Sequence, residues 1–157
     1  MNNILIRKIE VKDNKRVEYI IRSCLIEFGA NHEGTAWADK NLGNFSNVYN
    51  SDGNAYFVAL VDDIVVAGSG IGYLTDEICE LQKMYCLPEY RGLGISQKLM
   101  DECLEYAKKY YKKCYLETLD NMTRAIKFYE KNGFQRIDEP VVNTGHFSCD
   151  VRYIKQL

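Results

Sequence analysis

The sequence lacks long hydrophobic runs, which excludes a membrane-spanning helix of ordinary length. Its longest apolar stretches include Tyr56 to Val61 and Ile64 to Ala67. Both are far shorter than the roughly 18 residues that such a helix needs. The first residues also lack the charged segment and long apolar segment that mark a signal peptide. We therefore expect a cytoplasmic protein with no membrane partner.

An excess of charge of one sign is also missing. The 157 residues include 20 basic and 22 acidic side chains, which give a formal net charge of −2. The basic residues form no stripe, so we expect no nucleic-acid partner. The presence of only 2 prolines and 11 glycines excludes collagen-like and low-complexity chains. A hydrophobic content of 46% instead predicts one folded domain over residues 1–157.

Closely paired cysteines of the C-x-x-C type are absent. Because such pairs are typical of zinc and redox sites, we expect no metal. With no export signal, we expect free thiols in a reducing compartment, most of them serving as small core residues. The six cysteines are Cys24, Cys79, Cys86, Cys103, Cys114 and Cys149.

The hydrophobic periodicity predicts both helices and strands. Apolar residues recur at helical spacing between Asp13 and Gly29. Residues 30–54 show no such repeat, and we expect one small helix there, near Trp37 to Phe45. The pair Asp62-Asp63 separates two β-rich runs, as in a hairpin. The predicted strands cover residues 4–10, 55–61, 64–73, 77–87, 114–119, 134–137 and 147–154, and the main helices cover residues 13–28, 95–111 and 122–132.

This order of elements predicts an α/β fold. We expect a single mixed central sheet of about six to seven strands with helices on both faces. Three strands follow one another through the middle of the chain, which excludes a plain βαβ repeat. Gly68, Gly70 and Gly72 lie in the second strand of the hairpin and indicate a bulge or a close backbone approach.

The last predicted helix carries end signals on both sides. Asn121 or Asp120 is expected to cap its first turn, because short polar side chains accept hydrogen bonds from the first N–H groups. Gly133 is expected just after its last residue, where helices commonly need a left-handed conformation.

The most informative segment lies between Pro88, where a strand ends, and Ile95, where a helix begins. Gly92 and Gly94 allow the backbone to approach a bulky anion closely. The first turn of the helix supplies unpaired N–H groups and a partial positive charge, and Arg91 adds charge at the mouth. This combination suits a pyrophosphate, although a tight strand-to-helix connection has the same features. The P-loop pattern and the third glycine of a dinucleotide fingerprint are absent.

This segment resembles the R/Q-x-x-G-x-G/A signature of the GNAT N-acetyltransferases, carried here by Arg91-Gly92-Leu93-Gly94-Ile95-Ser96. Ser96 departs from the usual Gly or Ala, but it is small and its hydroxyl can itself meet a phosphate. Residues 80–90 resemble the family's fourth strand. The family's fourth helix and the strand after it are matched by Asn121, Ala125 and Phe128-Tyr129-Glu130-Lys131-Asn132-Gly133-Phe134. The order of elements matches along nearly the whole chain.

The resemblance implies acetyl-CoA as the acetyl donor and co-substrate. In the family, backbone amides of the signature hold the pyrophosphate, and the fourth strand pairs with the pantetheine arm. A backbone N–H near Met84 or Tyr85 would polarise the thioester carbonyl. The implied cofactor-binding residues are Met84, Tyr85, Cys86, Arg91, Gly92, Leu93, Gly94, Ile95, Ser96, Asn121 and Tyr129.

The resemblance also implies direct transfer of the acetyl group to an amine in a ternary complex. Tyr129 occupies the family's general-acid position, and Glu80 matches the general base of histone-type members. Strand alternation is expected to place Glu80, Met84 and Cys86 on one face. A covalent step through Cys86 is disfavoured, because no His or Asp lies nearby in sequence to activate its thiol.

The acceptor is the least specified part of the sequence. It could be a small molecule or a peptide or protein amine, and the candidates for binding it are Phe28, Trp37, Glu80 and His146. An aromatic ring with acidic neighbours suits a cationic amine, although Trp37 in an ordinary loop would look the same. Two alternatives stay open at this stage: a non-catalytic acyl-CoA-binding or sensing module, and an acyltransferase for a longer acyl chain. Members of the family often dimerise, which makes a homodimer an expectation by resemblance alone.

Overall fold

The computed structural model describes residues 3–142 and 149–157. Seven strands form one mixed sheet in the order β1-β2-β3-β4-β5-β7-β6. The strands are β1 (Ile4–Lys8), β2 (Ala55–Val61), β3 (Ile64–Tyr73), β4 (Ile78–Cys86), β5 (Lys113–Thr118), β6 (Gln135–Ile137) and β7 (Val151–Gln156). The helices are α1 (Asn14–Glu27), α2 (Phe45–Val48), α3 (Ile95–Lys108) and α4 (Thr123–Lys131).

Helices cover both faces of this sheet and enclose two hydrophobic cores. On one face α1 buries Ile20 and Ile21, and α2 adds Phe45. On the other face α3 buries Leu99 and Met100, and α4 packs against the same core. Burying one such aliphatic side chain contributes about 1.5–3 kcal/mol, so the apolar stripes of α1 and α3 fix their positions. The predicted fold class, with helices on both faces of a mixed sheet, is confirmed.

The parallel pair β4 and β5 creates the opening in the sheet. Residues Ile78 to Glu80 pair with residues Lys113 to Tyr115, and no further pairs between these strands form among the described residues. Beyond Glu80, β4 therefore keeps a backbone edge that β5 does not use. Because α3 connects the two strands, its amino terminus lies at the same end of the sheet as this edge.

A bulge interrupts β4 beside the glycines of β3. Gly68 pairs with Tyr85 and Gly70 pairs with Gln82, so one residue of β3 faces two residues of β4. Lys83 takes up the extra length with a φ of 54°. The Tyr56 ring fills the space where Cβ atoms at Gly68 and Gly70 would lie, and its hydroxyl donates to the Lys83 carbonyl over 2.8 Å. The sequence predicted a bulge or a close backbone approach at these glycines; the structure has a bulge there, but its extra residue lies in β4, and the group closest to Gly68 and Gly70 is the Tyr56 ring.

Several predicted boundaries move by a few residues. The first strand ends at Lys8 rather than residue 10, and α3 ends at Lys108 rather than residue 111. The last strand begins at Val151, and residues 147–148 of its predicted range lie outside the described residues. Gly133 follows α4 with a φ of 89°, as predicted.

The predicted cap of α4 is wrong. Met122 stands at the cap position, and no side-chain hydrogen bond caps the first turn. The Asn121 side chain instead donates to the Phe28 carbonyl over 3.5 Å, so it joins the start of α4 to the end of α1. Asp120 does not cap the helix either.

The positions of the cysteines agree with the sequence pattern. Five cysteines are buried and Cys149 is half-buried, and all six are free. In residues 3–142 and 149–157, no helix is both long enough and apolar enough to cross a membrane. The same residues contain no cluster of His, Cys, Asp or Glu suited to a metal ion.

Candidate active site

Two cavities meet where β4 and β5 separate. The larger has a volume of about 570 Å³ and lies between α1, the segment after β4 and the start of α4. The smaller has a volume of about 80 Å³ and lies on the α1 side of the sheet. Both cavities share the lining residues Met84, Tyr85, Met122 and Tyr129. A group bound in one cavity can therefore reach a group bound in the other.

The glycine-rich segment forms a wall of the larger cavity. Gly92 and Gly94 both have a φ of 81°, a conformation that other residues adopt only with strain. No atom lies within 4 Å of the position that a Cβ would take at either glycine. Gly94 is the N-cap of α3 and offers no side chain to the first-turn N–H groups. These donors and the helix dipole favour an anion at this wall.

From the sequence we expected Arg91 to add a free positive charge at the mouth of the cavity. In the structure its guanidinium is instead bound to neighbouring residues. Two guanidinium nitrogens donate to the Glu27 carboxylate over 2.7 and 2.8 Å. Its Nε donates to the Cys86 carbonyl over 3.0 Å, and the guanidinium lies 5.3 Å from the centre of the Phe28 ring. The hydrogen bond from Arg91 lowers the pKa of Glu27 below its ordinary value of 4.5. Arg91 therefore clamps the end of α1 to the segment after β4.

Breaking this clamp is expected to reduce stability in a pH-dependent way. A double-mutant cycle built from Arg91→Gln, Glu27→Gln and the double variant should give a coupling free energy between the two side chains of about 1 kcal/mol at pH 7. The coupling is fully present above pH 4.5 and is lost as the pH falls through the lowered pKa of Glu27, because the protonated carboxyl no longer attracts the guanidinium. Urea unfolding at pH 7 and pH 3 measures it. Equal coupling at both pH values would contradict the ion pair.

Tyr129 lies at the junction of the two cavities. Its ring packs against Phe128 and Phe134, which fixes its direction. Burial raises the pKa of Tyr129 to about 12, and the nearby Cys149 thiol acts in the same direction. The phenol is therefore protonated at neutral pH. Its hydroxyl forms no hydrogen bond with residues 3–142 or 149–157.

Glu80 lines the smaller cavity and is held in a polar network. It is only 5% exposed. The Gln82 amide nitrogen donates to Glu80 Oε1 over 2.6 Å, and the Tyr49 hydroxyl donates to Gln82 Oε1 over 2.6 Å. Burial raises the pKa of Tyr49 far above its ordinary value, so its hydroxyl stays a donor. This chain of donors orients the Glu80 carboxylate.

The bulge at Lys83 overturns one sequence prediction. Simple alternation placed Glu80, Met84 and Cys86 on one face, but the extra residue shifts the alternation by one. Met84 and Cys86 contact the core on the α3 side, whereas Tyr85 contacts the core on the α1 side. Cys86 therefore does not share the face of Glu80. Burial raises the pKa of the Cys86 thiol to about 11, which disfavours a thiolate nucleophile there.

Further polar groups surround the smaller cavity. Lys83 Nζ contacts Asp39 Oδ2 at 2.6 Å, which ties the loop after α1 to the bulge. Glu117 accepts a hydrogen bond from the Tyr115 hydroxyl over 2.7 Å. Cys149 also lines this cavity, and burial raises its pKa to about 11. The cavity thus presents carboxylates from β4 and from β5, and Lys83, the lysine among its described lining residues, is already in an ion pair.

The structure places the predicted acceptor-binding residues in different regions. Glu80 lines the smaller cavity, but Phe28 lines the larger one. Trp37 lines neither, and the Arg22 guanidinium lies 4.7 Å from its ring centre. Its neighbour Ala36 reaches the smaller cavity instead. His146 lies outside the described residues.

Most of the predicted cofactor-binding residues come together in the larger cavity. Its lining includes Met84, Tyr85, Cys86, Arg91, Gly92, Ser96, Asn121 and Tyr129. Leu93, Gly94 and Ile95 are not among its lining residues, and the Ile95 side chain is buried in the core. The prediction for these three concerns their backbone amides, which belong to the same turn.

Sequence reasoning missed residues on both sides of the junction. In the larger cavity these are Glu27, Met122, Thr123, Arg124, Ala125 and Phe128. Asn121 was already predicted to bind the cofactor, and extending that prediction by three residues along the chain would have included Arg124. In the smaller cavity Glu117 and Lys83 were missed. The local sequence did not indicate that Lys83 lies at a bulge, because a lysine rarely adopts the positive φ that the bulge requires.

Comparisons with known proteins identify the family. Residues 52–136 match the family model described as the acetyltransferase (GNAT) domain. The chain is 40% identical to the uncharacterized N-acetyltransferase YjgM of Escherichia coli strain K12, over an alignment of 167 positions that covers 100% of both chains.

Solved structures show the same fold. A GNAT-family acetyltransferase from Staphylococcus aureus Mu50 superposes with a TM-score of 0.88 at 23% identity, covering 98% of this chain and 99% of that one. The PaiA N-acetyltransferase of Thermoplasma acidophilum, solved in complex with coenzyme A, superposes with a TM-score of 0.78 at 21% identity, covering 99% of each chain. Given the match to the domain model and the full-length similarity to YjgM, this chain belongs to the GNAT family of acetyltransferases.

Proposed function

We propose that the protein is an acetyl-CoA-dependent N-acetyltransferase that forms one domain and transfers acetyl directly to an amine of a small molecule or peptide. The observation that carries this proposal is the junction at Tyr129. On one side lies a cavity of about 570 Å³ with an anion-binding wall. On the other lies a smaller cavity that contains the oriented carboxylate of Glu80.

The larger cavity suits coenzyme A in three respects. The backbone at Gly92 and Gly94 leaves open space for a pyrophosphate. The first turn of α3 has no side-chain cap, so its N–H groups can donate to phosphate oxygens. The edge of β4 beyond Glu80 is not paired with β5, so Met84 and Cys86 can pair with an extended arm. Asn121 lines the same cavity and would contact that arm.

Bound acetyl-CoA would supply the thioester from which the acetyl group is transferred. Glu80 would remove a proton from the acceptor ammonium, directly or through a water, because only the neutral amine is a nucleophile. A backbone N–H near Met84 or Tyr85 would polarise the carbonyl oxygen. Tyr129, with a pKa of about 12, would return a proton to the departing thiolate. These roles leave Cys86 as part of the cavity wall.

Calorimetric titration tests the donor. We expect a micromolar dissociation constant for acetyl-CoA and CoA and much weaker binding of ADP, because the β4 edge contributes contacts that a nucleotide cannot make. Incubation with a panel of amines, read by mass spectrometry, should then show an increase of one acetyl group. Binding without any acetylation would favour a sensing module. Faster transfer from longer acyl-CoAs would favour a different acyl group, and an absence of binding would overturn the proposal.

A further inference from the structure

The Gln82 side chain joins the Glu80 carboxylate to a buried tyrosine that lies outside both cavities. Gln82 lines the smaller cavity, whereas Tyr49 lines neither. Tyr49 directly follows α2 and is 8% exposed. Its ring packs against the rings of Phe45 and Tyr56, with centroids 5.2 and 5.4 Å away. The direction of the Tyr49 hydroxyl is therefore fixed by contacts outside the site.

We propose that Tyr49 and Gln82 are positioning residues that keep the Glu80 side chain ionised, and so able to accept a proton, at neutral pH. The proposal rests on the proposed function, in which Glu80 is the base. Tyr49 acts through Gln82, and Gln82 acts on the carboxylate. Neither residue has to touch the acceptor for this role.

The direction of the two hydrogen bonds carries the argument. An ionised carboxylate only accepts hydrogen bonds, so it favours the Gln82 orientation in which the amide nitrogen donates to Glu80 Oε1, at 2.6 Å. In that orientation the Gln82 oxygen accepts from the Tyr49 hydroxyl over 2.6 Å. If the amide turned over, its oxygen would face the carboxylate and repel it. Donation from Tyr49 therefore stabilises the amide orientation that suits the ionised form of Glu80.

Glu80 needs such a donor because its surroundings oppose a negative charge. It is 5% exposed, so its carboxylate has lost most of its contact with water. Glu80 pairs with Tyr115 of β5, which places Glu117 on the same face two residues further along that strand. Both carboxylates line the smaller cavity, and like charges in one cavity disfavour the ionisation of both. A hydrogen bond from an amide to the carboxylate offsets part of this cost.

Gly72 provides the space in which the Gln82 amide lies. It pairs with Glu80 across β3 and β4. A Cβ at position 72 would lie between 2.5 and 2.8 Å from the carbon, oxygen and nitrogen of the Gln82 amide. These distances are too short for non-bonded atoms, so a larger residue would move the amide while leaving Glu80 and Tyr49 unaltered. The third glycine of β3 therefore serves the same chain of hydrogen bonds.

An NMR titration of Glu80 tests the proposal on the intact protein. Labelling the side-chain carboxyl carbon of glutamate with ¹³C makes each glutamate visible, and the signal lost in Glu80→Gln is that of Glu80. The variants Tyr49→Phe, Gln82→Met and Gly72→Ala remove the first donor, the second donor and the space for the amide. We expect each to raise the midpoint of the Glu80 titration by about one pH unit, because the ionised form loses a hydrogen bond.

Tyr111→Phe is the matched control. Tyr111 is 9% exposed and therefore about as buried as Tyr49, but its hydroxyl donates to the Gly53 carbonyl, and it lines neither cavity. This variant should leave the Glu80 midpoint unchanged. All the variants except Glu80→Gln keep the other ionisable side chains that the structure describes around Glu80, which are Asp39, Lys83, Tyr115, Glu117, Tyr129 and Cys149.

A double variant, Tyr49→Phe with Gln82→Met, shows whether Tyr49 acts through Gln82. Its Glu80 midpoint should equal that of Gln82→Met alone. A further shift in the double variant would overturn this route. Midpoints that stay unchanged in Tyr49→Phe, Gln82→Met and Gly72→Ala, together with lower melting temperatures, would give these residues a structural role only and overturn the proposal.

Kinetics separate this proposal from the proposed function. With the panel amine that the unaltered protein acetylates fastest, Tyr49→Phe should lower kcat/KM by up to about tenfold below the Glu80 midpoint, and the loss should disappear above it. The reason is that a shift of one pH unit changes the ionised fraction tenfold. If the Glu80 midpoint shifts as expected but the unaltered protein acetylates no amine, the proposed function fails while the positioning of Glu80 stands.

Discussion

Replacing Tyr129 by Phe is expected to lower kcat about hundredfold while leaving the dissociation constant for acetyl-CoA within twofold of the unaltered protein. The ring and its contacts with Phe128 and Phe134 are kept, so the cavity wall keeps its shape. Only the proton donor for the departing thiolate is lost. A hundredfold change corresponds to about 2.7 kcal/mol in the activation free energy. Steady-state kinetics and calorimetry on the same preparation separate the two effects.

The pKa of Tyr129 gives this prediction a pH signature. Because burial raises the pKa to about 12, the phenol stays protonated between pH 7 and pH 10. The unaltered protein should therefore lose no activity from titration of Tyr129 in that range, and the defect of the Phe variant should stay constant. Tyr153→Phe is the control, since the Tyr153 hydroxyl donates to Glu130 and lines neither cavity. Unchanged kcat in the Tyr129 variant would remove Tyr129 from the mechanism.

Replacing Glu80 by Gln is expected to lower kcat/KM by about 10²- to 10³-fold at pH 7. Gln is nearly the same shape and still offers an oxygen to the Gln82 amide, so the packing at this buried position should be retained. It cannot accept a proton from the acceptor ammonium. The initial rate of amine acetylation measures the loss. The matched control is Glu77→Gln, because Glu77 is an exposed carboxylate whose partner is Lys112 on the surface.

Raising the pH separates a base from a merely structural carboxylate. An aliphatic amine such as a lysine side chain has a pKa of about 10.4, so a growing fraction is already neutral as the pH rises. If Glu80 acts as the base, the ratio of unaltered to variant rate should narrow between pH 7 and pH 10. A ratio that stays constant, together with a lower melting temperature, would assign Glu80 a structural role instead.

The glycine-rich turn shows what the sequence can reveal. The strand, the two glycines and the following helix are contiguous, and each has a local physical signature. The same holds for the hairpin around Asp62-Asp63 and for the apolar stripes of α1 and α3. These signals specify φ angles and buried faces over a few residues, so no distant partner is needed to interpret them. These local signals predicted the glycine-rich wall of the larger cavity, whereas Met84, Tyr85, Cys86, Asn121 and Tyr129 were predicted only from the resemblance to the GNAT signature.

The partners of these residues lie far away along the chain and could not be predicted locally. Arg91 was interpreted as a free charge because Glu27 is 64 residues away. The face of Cys86 was assigned wrongly because the bulge depends on the Tyr56 ring in another strand. Trp37 lies under Arg22 rather than in a cavity for the same reason. Tertiary contacts determine the position of each of these side chains, and residue spacing along the sequence does not predict such contacts.

The bulge in β4 also bears on how the strand can change during evolution. The bulge absorbs one residue, so Met84 faces α3 and Tyr85 faces α1 although Lys83 is present. If Lys83 entered the ladder as an ordinary strand residue, every later residue of β4 would exchange its face and both cavities would change a wall. If Lys83 were deleted, the bulge would be lost with it and the later residues would keep their faces. We therefore expect homologues that lack this extra residue to lack the bulge as well.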